Sequence, residues 1–127
     1  MNLHDPRFQQ AIELFNAKEF FACHDVLEEI WSETVDEDRD FFQGLIHVAV
    51  SLFHFGEGNL SGARKMHDSA LRYLASFGSE HLGIDLDRLR AEFNECFAEL
   101  LGEHTTYPQG VTIAEASIPQ LHRVGVQ

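Results

Sequence analysis

The stretch Arg39-Asp40-Phe41-Phe42-Gln43-Gly44-Leu45-Ile46-His47-Val48-Ala49-Val50-Ser51-Leu52-Phe53-His54-Phe55 decides the fold. Its apolar side chains cover most of the circumference of a helix, which predicts a central rod buried by neighbours on several sides. Toward the C-terminus, Gly56-Glu57-Gly58-Asn59 breaks the rod, and Asn59 caps a further helix whose Ala63, Met66, His67, Ala70, Leu71 and Leu74 face inward. Toward the N-terminus, the acidic run Thr34-Val35-Asp36-Glu37-Asp38 reads as a solvated loop, preceded by a helix from Phe20 to Glu33. Asp5-Pro6 joins an N-cap to a proline at the first helical position, starting a helix that runs to about Asn16 on a Phe8, Ile12, Phe15 stripe.

Beyond Phe77-Gly78-Ser79 the chain loops through Gly83. Asp85 then caps a fifth helix carrying Leu86, Leu89, Phe93, Phe97 and Leu100, which Gly102 ends. No strand pattern precedes the tail. From Glu103 periodicity is lost, and Pro108, Gly110 and Pro119 among Val111, Ile113 and Ile118 suggest an extended strap laid over the helices or a partly mobile tail. The expected fold is all-α: one compact bundle of about five helices, two helical hairpins plus a fifth helix, over residues 1–102, with an irregular C-terminal segment, 103–127. The turns Phe15-Asn16-Ala17-Lys18-Glu19-Phe20 and Phe55-Gly56-Glu57-Gly58-Asn59-Leu60 give the hairpins the look of a loose internal repeat of the tetratricopeptide kind.

Composition narrows the partners. With 127 residues the chain can bury a core without disulfide staples, and its two cysteines, Cys23 and Cys96, form no Cys-x-x-Cys pair. A formal charge of −12 repels phosphate backbones and anionic lipid, so neither nucleic acid nor a membrane surface is an expected partner. Reduced thiols, and no basic segment leading into an apolar run, fit a cytoplasmic protein. No Gly-rich phosphate loop, Gly-x-Ser-x-Gly or His-Glu-x-x-His occurs.

The chemistry gathers on Phe20-Phe21-Ala22-Cys23-His24-Asp25-Val26-Leu27-Glu28-Glu29-Ile30-Trp31, where helical spacing sets Phe20, His24, Leu27, Glu28 and Trp31 on one stripe. A titratable group among such neighbours must be hydrogen-bonded, paired or metal-bound. His24 and Glu28, one turn apart, can reach a common cation, with Asp25 and Glu29 on the flank. On the third helix Arg39, Gln43, His47 and then Ser51 or His54 climb one face. If that face meets the His24 stripe, the chain holds a buried cluster that either binds a divalent cation (zinc, iron or manganese) through His24, Glu28 and His47 or His54, or forms a satisfied structural network in which Arg39 pairs with Glu28 or Asp25. Trp31 and the phenylalanines read as core, and His67 as a core histidine.

In their order, Phe15-Asn16, the Phe20 to Trp31 segment, Arg39-Asp40-Phe41-Phe42-Gln43-Gly44-Leu45-Ile46, Ala49, His54, Gly58-Asn59 and Gly62-Ala63 resemble the small all-helical family known as domain of unknown function 309. The likeness covers roughly Phe15 to Leu74. It implies a compact helical array found in bacteria and archaea, some members of which carry the label of predicted metal-dependent hydrolase. The family pattern falls on His24, Asp25, Glu28, Trp31, Arg39, Gln43, Gly44, His54, Asn59 and Gly62. Two positions depart from it, since Asp25 stands where Glu is usual and His47 where Gln is usual.

Two functions follow as expectations. One is a metal-dependent hydrolase-like protein acting on a small molecule, with His24, Glu28, His47 and His54 as ligands and Asp25 or Glu29 as general base. The other is a non-enzymatic interaction module, a homodimer or a protein-partner platform, whose His24, Glu28, Arg39 and Gln43 network fixes helix register and lines a groove for a partner, with Trp31 and Asn59 as further members of the cluster.

Overall fold

A computed structural model describes residues 5–101 and 111–124. Pro6–Asn16 (α1) and Phe20–Glu33 (α2) form a first antiparallel hairpin, and Asp38–Gly56 (α3) and Leu60–Leu74 (α4) a second. A miniature antiparallel pair, Glu80–His81 (β1) with Ile84–Asp85 (β2), leads into Leu86–Cys96 (α5). Glu115–Ser117 is one 3-10 turn in the tail. The all-α bundle of five helices is thus present, and none of the helices is long and apolar enough to cross a membrane, among the described residues.

The caps are the ones the sequence marks. The carboxylate of Asp5 accepts the Arg7 N–H at 2.9 Å, Asn59 Oδ1 accepts that of Gly62 at 3.0 Å, and Asp85 that of Arg88 at 3.0 Å. Both hairpin turns are Schellman closures with the same bonds at corresponding positions. Lys18 N–H reaches Phe15 O and Glu19 N–H reaches Leu14 O, as Gly58 N–H reaches Phe55 O and Asn59 N–H reaches His54 O. The left-handed residue is Gly58 (φ 80°) in one turn and Lys18 (φ 66°) in the other.

The α3 rod lies between α2 and α4. Phe8 of α1 meets Phe41 and Phe42 edge-on at 6.3 and 5.6 Å, locking the first hairpin to the second. On the other side Gly44 lets α4 come close: a Cβ there would stand 2.7 Å from Leu74 Cδ2. Phe55 meets Phe97 at 5.0 Å, and His67, only 2 % exposed, stacks on Phe97 while its Nε2 lies 2.8 Å from Asn94 Oδ1. The core histidine expected at His67 is a satisfied one.

Two boundaries differ from expectation. The strands were not foreseen because two residues are too few to show alternation. They form around Leu82 (φ 47°) and Gly83 (φ 79°), the two positive-φ positions of a tight hairpin turn. Residues 97–100 leave α5 as turns, so Phe97 and Leu100, both buried, complete the apolar stripe from outside the helix. The expected helix end at Gly102 lies outside the described residues, as do Pro108 and Gly110.

The described part of the tail is packed. Asn16 clamps Leu121 by donating from Nδ2 to its carbonyl at 3.1 Å and accepting its N–H on Oδ1 at 2.7 Å. Asp85 N–H donates to His122 O, and Val124 N–H to Gly83 O, each at 2.8 Å.

Candidate functional site

Helix α2 presents His24, Asp25 and Glu28 together. Three ligand-type atoms, one from each, lie within 4.8 Å of one another. His24 Nε2 stands 3.1 Å from Glu28 Oε1, and Nδ1 stands 3.4 Å from Asp25 Oδ1. The imidazole is 21 % exposed, whereas the two carboxylates are 58 % and 53 % exposed. The buried cluster expected here is therefore an open trio on one helix, because Asp25 and Glu28 point off the core stripe that Cys23, Val26, Leu27 and Ile30 occupy.

One atom of the trio is unsatisfied. His24 Nδ1 is buried and has no hydrogen-bond partner among the described residues. A carboxylate only accepts, so with Glu28 beside Nε2 the neutral ring carries its proton there, and the Nδ1 lone pair faces the Asp25 carboxylate. Two acceptors facing each other call for positive charge, as a second ring proton or a metal cation. One imidazole and two carboxylates on a surface of net charge −12 are a donor set that suits a divalent cation and leaves coordination positions for water.

The third helix does not bring its polar line to this trio. Arg39 stacks on Trp31, its guanidinium carbon 3.8 Å from the ring centroid, and donates to Trp31 O at 3.3 Å and Thr34 O at 3.1 Å. It thus caps the C-terminus of α2, whose last turn has no basic residue of its own, instead of pairing with Glu28 or Asp25. Gln43 Nε2 donates to His47 Nε2 at 3.0 Å, which leaves Nδ1–H of His47 to donate to Ser69 Oγ of α4 at 2.8 Å. With both nitrogens used, His47 has no lone pair left for a metal. Burial, and then the charge of Arg72, hold its pKa below the ordinary imidazole value. Glu29 is exposed and stands outside the trio, one turn beyond Asp25.

His54 and Asn59 belong to a neighbouring feature. A cavity of about 310 Å³ opens between α2 and α3, walled by Phe20, Phe21, Val50 and Phe53. His24, His54 and Glu57 supply its polar lining. Phe21, 62 % exposed, meets Phe53 edge-on at 5.5 Å. Sequence reasoning missed this pocket; its signal was Phe21 lying off the buried stripe while one turn from His24. Cys23, behind the site, donates to Ala11 O at 3.3 Å, and burial pushes its thiol up to about 12, so it is no nucleophile.

The family model for "Domain of unknown function (DUF309)" matches residues 8–66, which span α1 to the first half of α4 and include the trio, His54, Asn59 and Gly62. Residues 8–66 belong to the domain of unknown function 309 family. The matched segment starts earlier and ends earlier than the Phe15 to Leu74 likeness. Among similar proteins, the "Uncharacterized protein YpuF" of Bacillus subtilis (strain 168) is 33 % identical over 81 residues, 61 % of this chain and 47 % of YpuF. An "Uncharacterized protein" of Aquifex aeolicus (strain VF5) is 31 % identical over 88 residues, 68 % of this chain and 26 % of that protein. The chain therefore spans about half the length of the first and about a quarter of the second. Within the family segment, Gly44 and Gly62 are accounted for by close approach, since a Cβ at Gly62 would stand 2.5 Å from Asn59 Nδ2.

Proposed function

We propose that this domain of unknown function 309 segment is a metal-dependent, hydrolase-like site in which His24, Asp25 and Glu28 hold a divalent cation beside the α2–α3 cavity. The observation that carries the reading is the buried, unpartnered His24 Nδ1 facing the Asp25 carboxylate, an arrangement that a cation satisfies and neutral side chains do not. A bound zinc, iron or manganese would polarise an oxygen and make water a nucleophile near neutral pH. The chain's own residues do the rest. Phe20, Phe21, Val50 and Phe53 hold an apolar group out of water, and Glu29, outside the ligand trio, accepts a proton. The presence of His24 in the lining of the cavity supports a small-molecule substrate.

Elemental analysis of protein purified without a His tag or chelator tests this. About one equivalent of metal is expected in the parent and in Glu29→Ala, and none in His24→Ala. Absence of metal from the parent after incubation with zinc, iron(II) and manganese overturns it.

The exposed Phe21 at the rim of an apolar cavity favours a second reading, an interaction module that docks a protein partner or a second copy there. It expects Phe21→Ser to abolish association while the metal content stays at zero.

A further inference from the structure

His54 lines the α2–α3 cavity, and its proton is placed from behind. Asn59 Oδ1 accepts the Gly62 N–H, and a backbone N–H can only donate, so this amide has one permitted orientation. Its Nδ2 is then turned to His54 Nδ1, 3.4 Å away. An amide NH2 only donates. Nδ1 of His54 is therefore the accepting nitrogen, and the neutral ring carries its proton on Nε2. Gly62 is part of the device, since a Cβ would strike the Asn59 amide. A metal-binding histidine is normally backed by an acceptor that leaves the other nitrogen bare. His54 is backed by a donor. His47, with Gln43 donating to Nε2, is held in the opposite tautomer two turns earlier on the same helix.

We propose that His54, kept as its Nε2–H tautomer by Asn59, donates a hydrogen bond to the carbonyl oxygen of a neutral, apolar ester or amide lodged in the α2–α3 cavity. About 310 Å³ lies at the small end of ligand sites and takes a group of single-ring size. The aromatic wall accounts for an apolar body. Glu57 in the lining, the carboxylates of the trio beside His24 and the net charge of −12 repel a carboxylate or phosphate ligand. A neutral carbonyl satisfies one N–H donor and brings no anion. This names the substrate class of the hydrolase-like site and rests on that reading for the reaction, but binding itself requires no metal.

The test uses the protein in EDTA, with N-methylbenzamide, benzoate and ethylbenzene as probes followed in ¹H–¹⁵N spectra. N-methylbenzamide is expected to shift the backbone signals of Val50, Phe53 and Glu57 and to bind roughly tenfold tighter than either benzoate or ethylbenzene. His54→Leu should lose that tenfold, and His54→Gln, which retains an N–H donor, should keep most of it. The long-range ¹H–¹⁵N spectrum of the parent's rings needs no variant: His54 should show a protonated Nε2 and a bare Nδ1. Asn59→Asp, whose carboxylate accepts, should reverse that pattern and weaken the probe. A bare Nε2 in the parent, equal binding by His54→Leu, or benzoate or ethylbenzene matching the amide overturns the proposal. Because no metal is present, these outcomes are independent of the elemental analysis, and a metal-free parent leaves them standing.

Discussion

The two helical hairpins close their turns with the same backbone bonds and use them differently. In the second, Gly58 takes the left-handed position without strain, and Asn59 both caps α4 and reaches back to His54. In the first, Lys18 takes that position, and Glu19 makes no side-chain cap bond. The first hairpin is held instead from outside, by Asn16 on Leu121 and by Arg39 on the carbonyls at the end of α2. A self-sufficient turn also orients the His54 ring, while the first turn depends on groups from elsewhere in the chain.

The comparison breaks most visibly at the matched phenylalanines. Phe15 and Phe55 are both buried, one edge-on to Phe20 within its own hairpin, the other edge-on to Phe97 beyond α5. Phe15→Ala and Phe55→Ala should each cost about 3–5 kcal/mol in urea unfolding with unchanged slope. A loss below about 1 kcal/mol at either would mean that the two turns are not equivalent supports.

The left-handed positions sharpen the comparison at a smaller scale. Lys18→Gly should stabilise by about 1 kcal/mol, and Gly58→Ala should destabilise by about the same amount, since only the second introduces a Cβ at positive φ. The ion pair of Lys18 with Glu115 at 3.3 Å is exposed and offsets little of the gain. Equal signs for the two variants in thermal denaturation would refute the argument.

The smallest effect concerns pH. His47 has its pKa lowered by burial, so the unfolded chain binds a proton more readily than the folded one. Stability should therefore fall as pH drops below the ordinary imidazole range and level off below the folded pKa. His47→Gln should flatten this part of the curve, measured as the urea midpoint between neutral and mildly acidic pH. An unchanged slope would assign the dependence to other groups.

Much of the fold was legible because caps and apolar periods are local. Asp5, Asn59 and Asp85 announced helix starts, and the near-continuous apolar rod announced α3. The closeness of His24 and Glu28, with Asp25 on the flank, was legible for the same reason, all three lying within about one turn of one helix, although Asp25 was expected as a base and not in the ligand set. What failed depended on rotation between helices. The Arg39, Gln43, His47 line divides, Arg39 turning to the end of α2 and His47 to Ser69 of α4, and nothing in the local pattern of α3 records that. The cavity was hidden likewise, since Phe21 and Phe53 come from different helices.

The guanidinium of Arg39 lies over Trp31, the chain's one tryptophan. Indole emission responds to a fixed positive charge on the ring face and to water, so this pair is a built-in optical gauge of the joint between the hairpins. Separation of α2 from α3 changes the fluorescence colour without any label, in a protein whose other aromatic rings are mostly phenylalanine and nearly silent at that wavelength.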